Sequence, residues 1–180
     1  NGIYVGTWGS SVDFDTNGDD VGLDGSLELD AYAGWSGSIG ENMGIDVGVL
    51  YYIYPGDDGQ EGDYLELYGS YSIYDLTLGI AYSDDYYAET GEFFYFSAGY
   101  SLPLGDIFTA DFHVGYNTFE EEGFLSDGAD DYVDYSAGVT ASWLALDWTL
   151  AWVGTNLDDE EVFDTDWGDD QLVFTIAKSL

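Results

Sequence analysis

The residues best equipped for chemistry in this sequence are oxygen ligands. Asp13, Asp15, Asn17 and Asp19 alternate along the chain, Gly18 sits where a sharp turn is needed, and Asp24 is twelfth counting from Asp13. A calcium loop wraps its ion with this spacing, although here Asp replaces the final bidentate Glu and strands, not helices, flank the loop. Two other acidic groups offer hard-cation ligands without a diagnostic spacing: Asp57 and Asp58, close to Glu61 and Asp63, and Asp164 and Asp166, close to Asp158 to Glu161, Asp169 and Asp170. Ca2+ is the expected cofactor at these loops, and a solvated charge run is the alternative for each. Catalytic chemistry has a thin inventory. His113 is the single histidine, there is no Cys or Arg, and the one Lys is Lys178. Asp111 lies two residues before His113 on the same strand face, so a His–Asp pair is allowed, but no nucleophile accompanies it. No catalytic residues are assigned, and the protein is expected not to be an enzyme.

The elements that must position these groups are strands. Two Pro, 25 Gly and an aromatic share of 18% in 180 residues point to a β protein with many tight turns. Period-two alternation runs through about ten segments, near 2–12, 26–36, 44–54, 64–73, 76–83, 93–102, 107–117, 132–142, 145–153 and 171–180. The connections alternate between long (13–25, 55–63, 84–92, 118–131, 154–170) and short, as an up-and-down meander requires. One face of each strand is apolar, for example Ile45, Val47, Val49, Tyr51 and Ile53, and the opposite face is Gly, Ser, Thr, Tyr and acid. In the first strand the faces are ambiguous, because Ile3 and Val5 compete with Tyr4, Trp8 and Val12 for the apolar side.

Charge is the extreme feature of the composition: 37 acids and a net charge of −36. Nucleic acid is excluded as a partner, because its binding depends on cations that neutralise phosphates. Of the 37 acids, 27 lie in the five long connections. The seven on strands, Glu28, Asp30, Asp46, Glu66, Asp111, Asp134 and Asp147, all have the parity of the polar face, as does His113. Random placement achieves that for the acids about once in a hundred tries. A single domain spanning 1–180 is expected, because no linker or composition break divides the chain. No run approaches the roughly 20 apolar residues of a spanning helix. The arrangement predicts an all-β fold: an antiparallel up-and-down β-barrel of about ten strands, outer-membrane type, with an apolar wall facing lipid and the eight polar-face residues lining a lumen. A soluble barrel or sandwich with the apolar face inside is the alternative.

Several stretches resemble the TorF-like porin family, exported bacterial outer-membrane-type β-barrels formerly described as a conserved protein of unknown function. They are GIYVGTWGSSVDF (Gly2 to Phe14), LELDAYAGWSG (Leu27 to Gly37) and IDVGVLYYIYPG (Ile45 to Gly56), with weaker similarity in HVGY (His113 to Tyr116) and VFTIAKSL (Val173 to Leu180). The resemblance implies a porin-type barrel with no catalytic residues to carry over, and twelve strands if an N-terminal hairpin is missing from the chain. Together these features lead to the expectation of a non-enzymatic porin-like barrel in the bacterial outer membrane, with a cation-attracting acidic lumen and calcium-binding acidic loops. The alternative is a cell-surface or extracellular barrel that self-assembles into a cation-bridged filament or tube. The expected partners are outer-membrane lipid or copies of the chain in a homo-oligomer or polymer.

Overall fold

The structure, a computed structural model, describes residues 2–12, 26–56, 62–120 and 125–178. Ten strands form one sheet: β1 (Ile3–Ser11), β2 (Leu27–Ile39), β3 (Met43–Ile53), β4 (Tyr64–Ile73), β5 (Leu76–Ser83), β6 (Phe93–Leu104), β7 (Phe108–Phe119), β8 (Asp131–Trp143), β9 (Leu146–Thr155) and β10 (Gln171–Ala177). Each pairs antiparallel with its neighbour in sequence, in the spatial order β1 to β10. The alternating apolar residues produce these strands at the expected places, and tight turns join them at one end. Tyr74 (φ 52°) makes the β4–β5 turn, and Leu144 and Ala145 (φ 57° and 58°) make the β8–β9 turn in the left-handed region that suits a two-residue hairpin.

The sheet does not close. Among the described residues, β1 pairs only with β2 and β10 only with β9. This overturns the expected β-barrel. Alternation specifies two faces but not a ring, which also demands a matched strand tilt and register stagger. The expected lumen therefore does not exist, because the polar face is one side of an open sheet.

The faces themselves are sharply divided. Ile3, Val5, Val47, Val49, Leu67, Leu78, Phe112, Leu150 and Phe174 belong to one face and are exposed. Buried residues concentrate on the other face, beneath the long connections. Phe93 and Phe119 face each other in register on β6 and β7 and gather Leu125 and Val162 from two connections into a small core. Ser126 ties those connections together: its N–H donates to the Glu161 carbonyl (2.9 Å), its hydroxyl donates to the Glu160 carbonyl (2.6 Å), and the Phe163 N–H donates to the Ser126 hydroxyl (2.7 Å).

Away from that core, tyrosines laid over glycines pack the polar face. Tyr4, Gly34, Gly48 and Tyr68 form one row across β1 to β4. The two tyrosines lie inward over the two glycines, so their hydroxyls meet at 2.7 Å, and Tyr4 also donates to the Asp46 carboxylate (2.5 Å). The row also assigns β1, with Tyr4 and Trp8 on the polar side and Ile3 and Val5 on the apolar side. A Cβ on Gly48 would strike the Tyr68 ring and come within 2.7 Å of the Ala33 carbonyl, whereas one on Gly69, on the opposite face, meets nothing closer than 3.7 Å. Gly48→Ala is therefore expected to lower stability by about 1–3 kcal/mol through overpacking. Gly69→Ala should change it by no more than about 0.5 kcal/mol. Urea unfolding of the two variants checks this, and equal losses would refute the tyrosine-over-glycine packing.

Candidate functional site

Period two places the seven acids Glu28, Asp30, Asp46, Glu66, Asp111, Asp134 and Asp147 on the polar face, and hydroxyl or amide donors hold five of them; Asp131, the first residue of β8, falls on the opposite face beside Tyr116. Tyr54 donates to Glu28 (2.7 Å) and Tyr4 to Asp46. Ser101 and Thr140 donate to Asp111 (2.7 and 3.3 Å), and Ser142 donates to Asp147 (2.6 Å). His113 Nε2 lies 2.9 Å from Asp134 Oδ1 and 2.7 Å from the Tyr95 hydroxyl, while Asn117 donates to Asp134 Oδ2 (3.0 Å). The histidine is thus paired with Asp134 on β8, not with Asp111 on its own strand. The register explains the choice: Asp134 stands opposite Gly115, whose missing side chain leaves room for Asp134 and the Tyr95 ring beside it. A glycine two residues from a histidine, next to an acid-bearing strand, was the available signal in the sequence.

The remaining two acids are the most buried charged groups of the sheet. Asp30 is 9% and Glu66 8% exposed, and Asp30 Oδ1 has no hydrogen-bond partner among the described residues. Tyrosines roof this region: Tyr52 stacks on Tyr64 with ring centroids 4.3 Å apart, Tyr86 lies 4.6 Å from Tyr64, and Tyr86 stacks in turn on Phe93 at 4.2 Å. Burial pushes the Glu66 carboxyl up to about 7, helped by the Asp30 carboxylate, and Asp30 is raised by its own burial and by Glu28. Burial and the neighbouring carboxylates Glu66, Asp30 and Glu28 also raise the Tyr52 hydroxyl. The charged form is disfavoured here because no cation compensates the lost hydration. Nearer the tight turns, Ser36, Ser38, Ser70, Ser72 and Asp46 line a shallow polar cleft of about 330 Å3.

These groups form a hydrogen-bonded polar layer. Among the described residues, no three His, Cys, Asp or Glu side chains converge as a metal set. Asp13, Asp15, Asn17, Asp19, Asp24, Asp57 and Asp58 lie outside the described residues. Asp164 and Asp166 are exposed, just beyond a one-turn 3-10 helix at Asp159–Val162. Among the described residues no calcium-binding loop supports that part of the expected function.

The fold and its two faces define the class: an open antiparallel β-meander with a tyrosine-covered acidic face and a bare apolar face. The chain belongs to a family described as a bacterial protein of unknown function (Gcw_chp), whose model matches residues 1–180. No curated protein and no solved structure matches the chain.

These findings correct the expectations drawn from the porin resemblance. The matching family carries no porin description, and the open sheet is not a TorF-like barrel. A porin-like function needs an enclosed lumen to select cations, and a tubular or filament-forming barrel needs the same closure. Placement in the bacterial outer membrane falls too, because a bilayer-spanning sheet must be closed so that no edge N–H or C=O meets hydrocarbon. The surface or extracellular placement rested on the same closed barrel and falls with it. Among the described residues, no helix is long and apolar enough to cross a membrane.

The raised carboxyl sets the pH response of this face. Below about pH 4.5 Glu66 is protonated in both the folded and the unfolded chain. As the pH rises to about 7, the unfolded chain releases a proton that the folded chain still holds, and the fold loses roughly 3 kcal/mol. Glu66→Gln should remove this loss. Unfolding free energies at pH 4.5 and above 7 should therefore fall more steeply for the unmodified chain than for Glu66→Gln, and parallel curves would count against a buried Glu66.

Proposed function

We propose that the chain is a non-enzymatic structural domain completed by association with copies of itself through its apolar sheet face. The observation that carries this reading is the bare face. Side chains such as Val49, Leu67, Leu78, Phe96, Phe112, Val139 and Leu150 stand exposed on one side of the sheet, and the one acid of the described strands on that side, Asp131, sits at the very end of β8. Contiguous apolar surface on this scale marks an interaction site.

The area of the chain supports the same conclusion. It exposes 11221 Å2, whereas a compact monomer of its mass exposes about 8,600 Å2. The excess of roughly 2,600 Å2 per chain, about 5,200 Å2 for two, is on the order of the 2,000 to over 5,000 Å2 buried in total by the two sides of an obligate homo-oligomer interface. A second copy supplies a predominantly apolar face of the same kind, and packing two such faces buries the apolar side chains of both. Net charge opposes this association, so salt or divalent cations that screen the acids should strengthen it.

Sedimentation without detergent tests the proposal. The chain should sediment as an oligomer, more so at high ionic strength, and Leu67→Glu with Leu78→Glu should yield a folded monomer by circular dichroism. A detergent-free monomer at high protein concentration, or an oligomer indifferent to both substitutions, would overturn the reading.

A further inference from the structure

The two edges of the sheet carry a second recognition surface. Natural edge strands are guarded by lysine, proline, inward charges or bulges, which discourage pairing with another chain. β1 reads IYVGTWGSS and β10 reads QLVFTIA, with no charged residue and no proline in either. Acids occur instead on interior strands, including β2, β3, β4, β7, β8 and β9. Every residue of β10 is exposed, and Leu172 (74%), Phe174 (62%), Ile3 (76%) and Val5 (79%) exceed the apolar residues of interior strands. Among the described residues one neighbour is missing on each side, and within β1 and β10 neither charge nor proline guards the edge, Lys178 standing just past β10.

The two edges also match one another. Ten strands in strict antiparallel succession leave β1 and β10 running in opposite directions. Placing β10 of one copy beside β1 of another therefore continues the antiparallel order. The registers put Leu172, Phe174 and Ile176 on the same face as Ile3 and Val5, so the junction preserves the division into a polar and an apolar side. The uncharged edge of a second copy has the required direction and alternation, and it adds no further charge at the seam.

We propose that β10 of one copy pairs antiparallel with β1 of a second copy, so that one sheet runs across the two chains. This rests on the self-association proposed above and specifies a contact distinct from the apolar face. Backbone hydrogen bonds provide the pairing, and the alternating apolar side chains set its register.

The absence of native cysteine makes the contact directly testable. Trp8→Cys and Ser10→Cys place single thiols on β1, and Val173→Cys and Thr175→Cys place them on β10, all on the polar side of the sheet and away from the face-to-face contact. Each β1 variant is mixed with each β10 variant and treated with a short bifunctional thiol reagent. The expected result is a covalent dimer in mixtures of the two kinds and at least tenfold less from any variant alone. Equal cross-linking within single variants would overturn the pairing in favour of like-with-like edges. Oligomers without cross-links in any mixture would overturn it while leaving face-to-face association standing. Monomers throughout would remove both proposals.

Discussion

Consecutive side chains of a strand point to opposite faces, and all ten strands of this chain keep that alternation in phase. The consequence is a sheet that separates its own chemistry. Gly, Ser, Tyr and acid collect on one side, and aliphatic and aromatic bulk on the other. Among the described residues no second layer lies over the apolar side, so the usual source of domain stability is deferred to whatever contacts that face. Within the chain, cohesion comes from nine antiparallel ladders, from tyrosines filling glycine gaps, and from the small aromatic core under the long connections.

The same separation explains the ionisation of the polar side. Carboxylates forced to share one parity become neighbours, and the only lysine, Lys178, stands just beyond β10. Hydroxyl and amide donors satisfy Glu28, Asp46, Asp111, Asp134 and Asp147. Beneath the roof of Tyr52, Tyr64 and Tyr86, however, the supply of donors runs short. There, proton retention by Glu66 takes the place of a counter-ion. An acid-rich chain can thus keep part of its interior uncharged near neutrality.

Much of the secondary structure was legible because its signal is local. Residues 64–73 and 76–83 were read as strands with the bounds they have, and the connections alternate in length as the sequence implies. The parity of the acids identified the polar face from Glu28 to Asp147. Closure was not legible, since it depends on tilt and stagger summed over all strands, and no residue reports that sum. The ambiguous faces of β1 and the partner of His113 were settled by pairings across strands. Tyr4 needs Gly34, and Asp134 needs the gap at Gly115, so each becomes visible only when the neighbouring strand is in place. The calcium-like spacing from Asp13 to Asp24 belongs to a connection outside the described residues.

Backbone pairing among the described strands runs only between sequence neighbours, as it does between the units of a solenoid. Nothing in such a ladder counts to ten. A ring must have a strand number consistent with its tilt and diameter, but an open meander imposes no such arithmetic. Duplicating or deleting one hairpin outside the row from Tyr4 to Tyr68 would leave that row, the remaining pairings and the division of faces intact. The width of the sheet is therefore a free variable in evolution, separable from the local rules that build each strand.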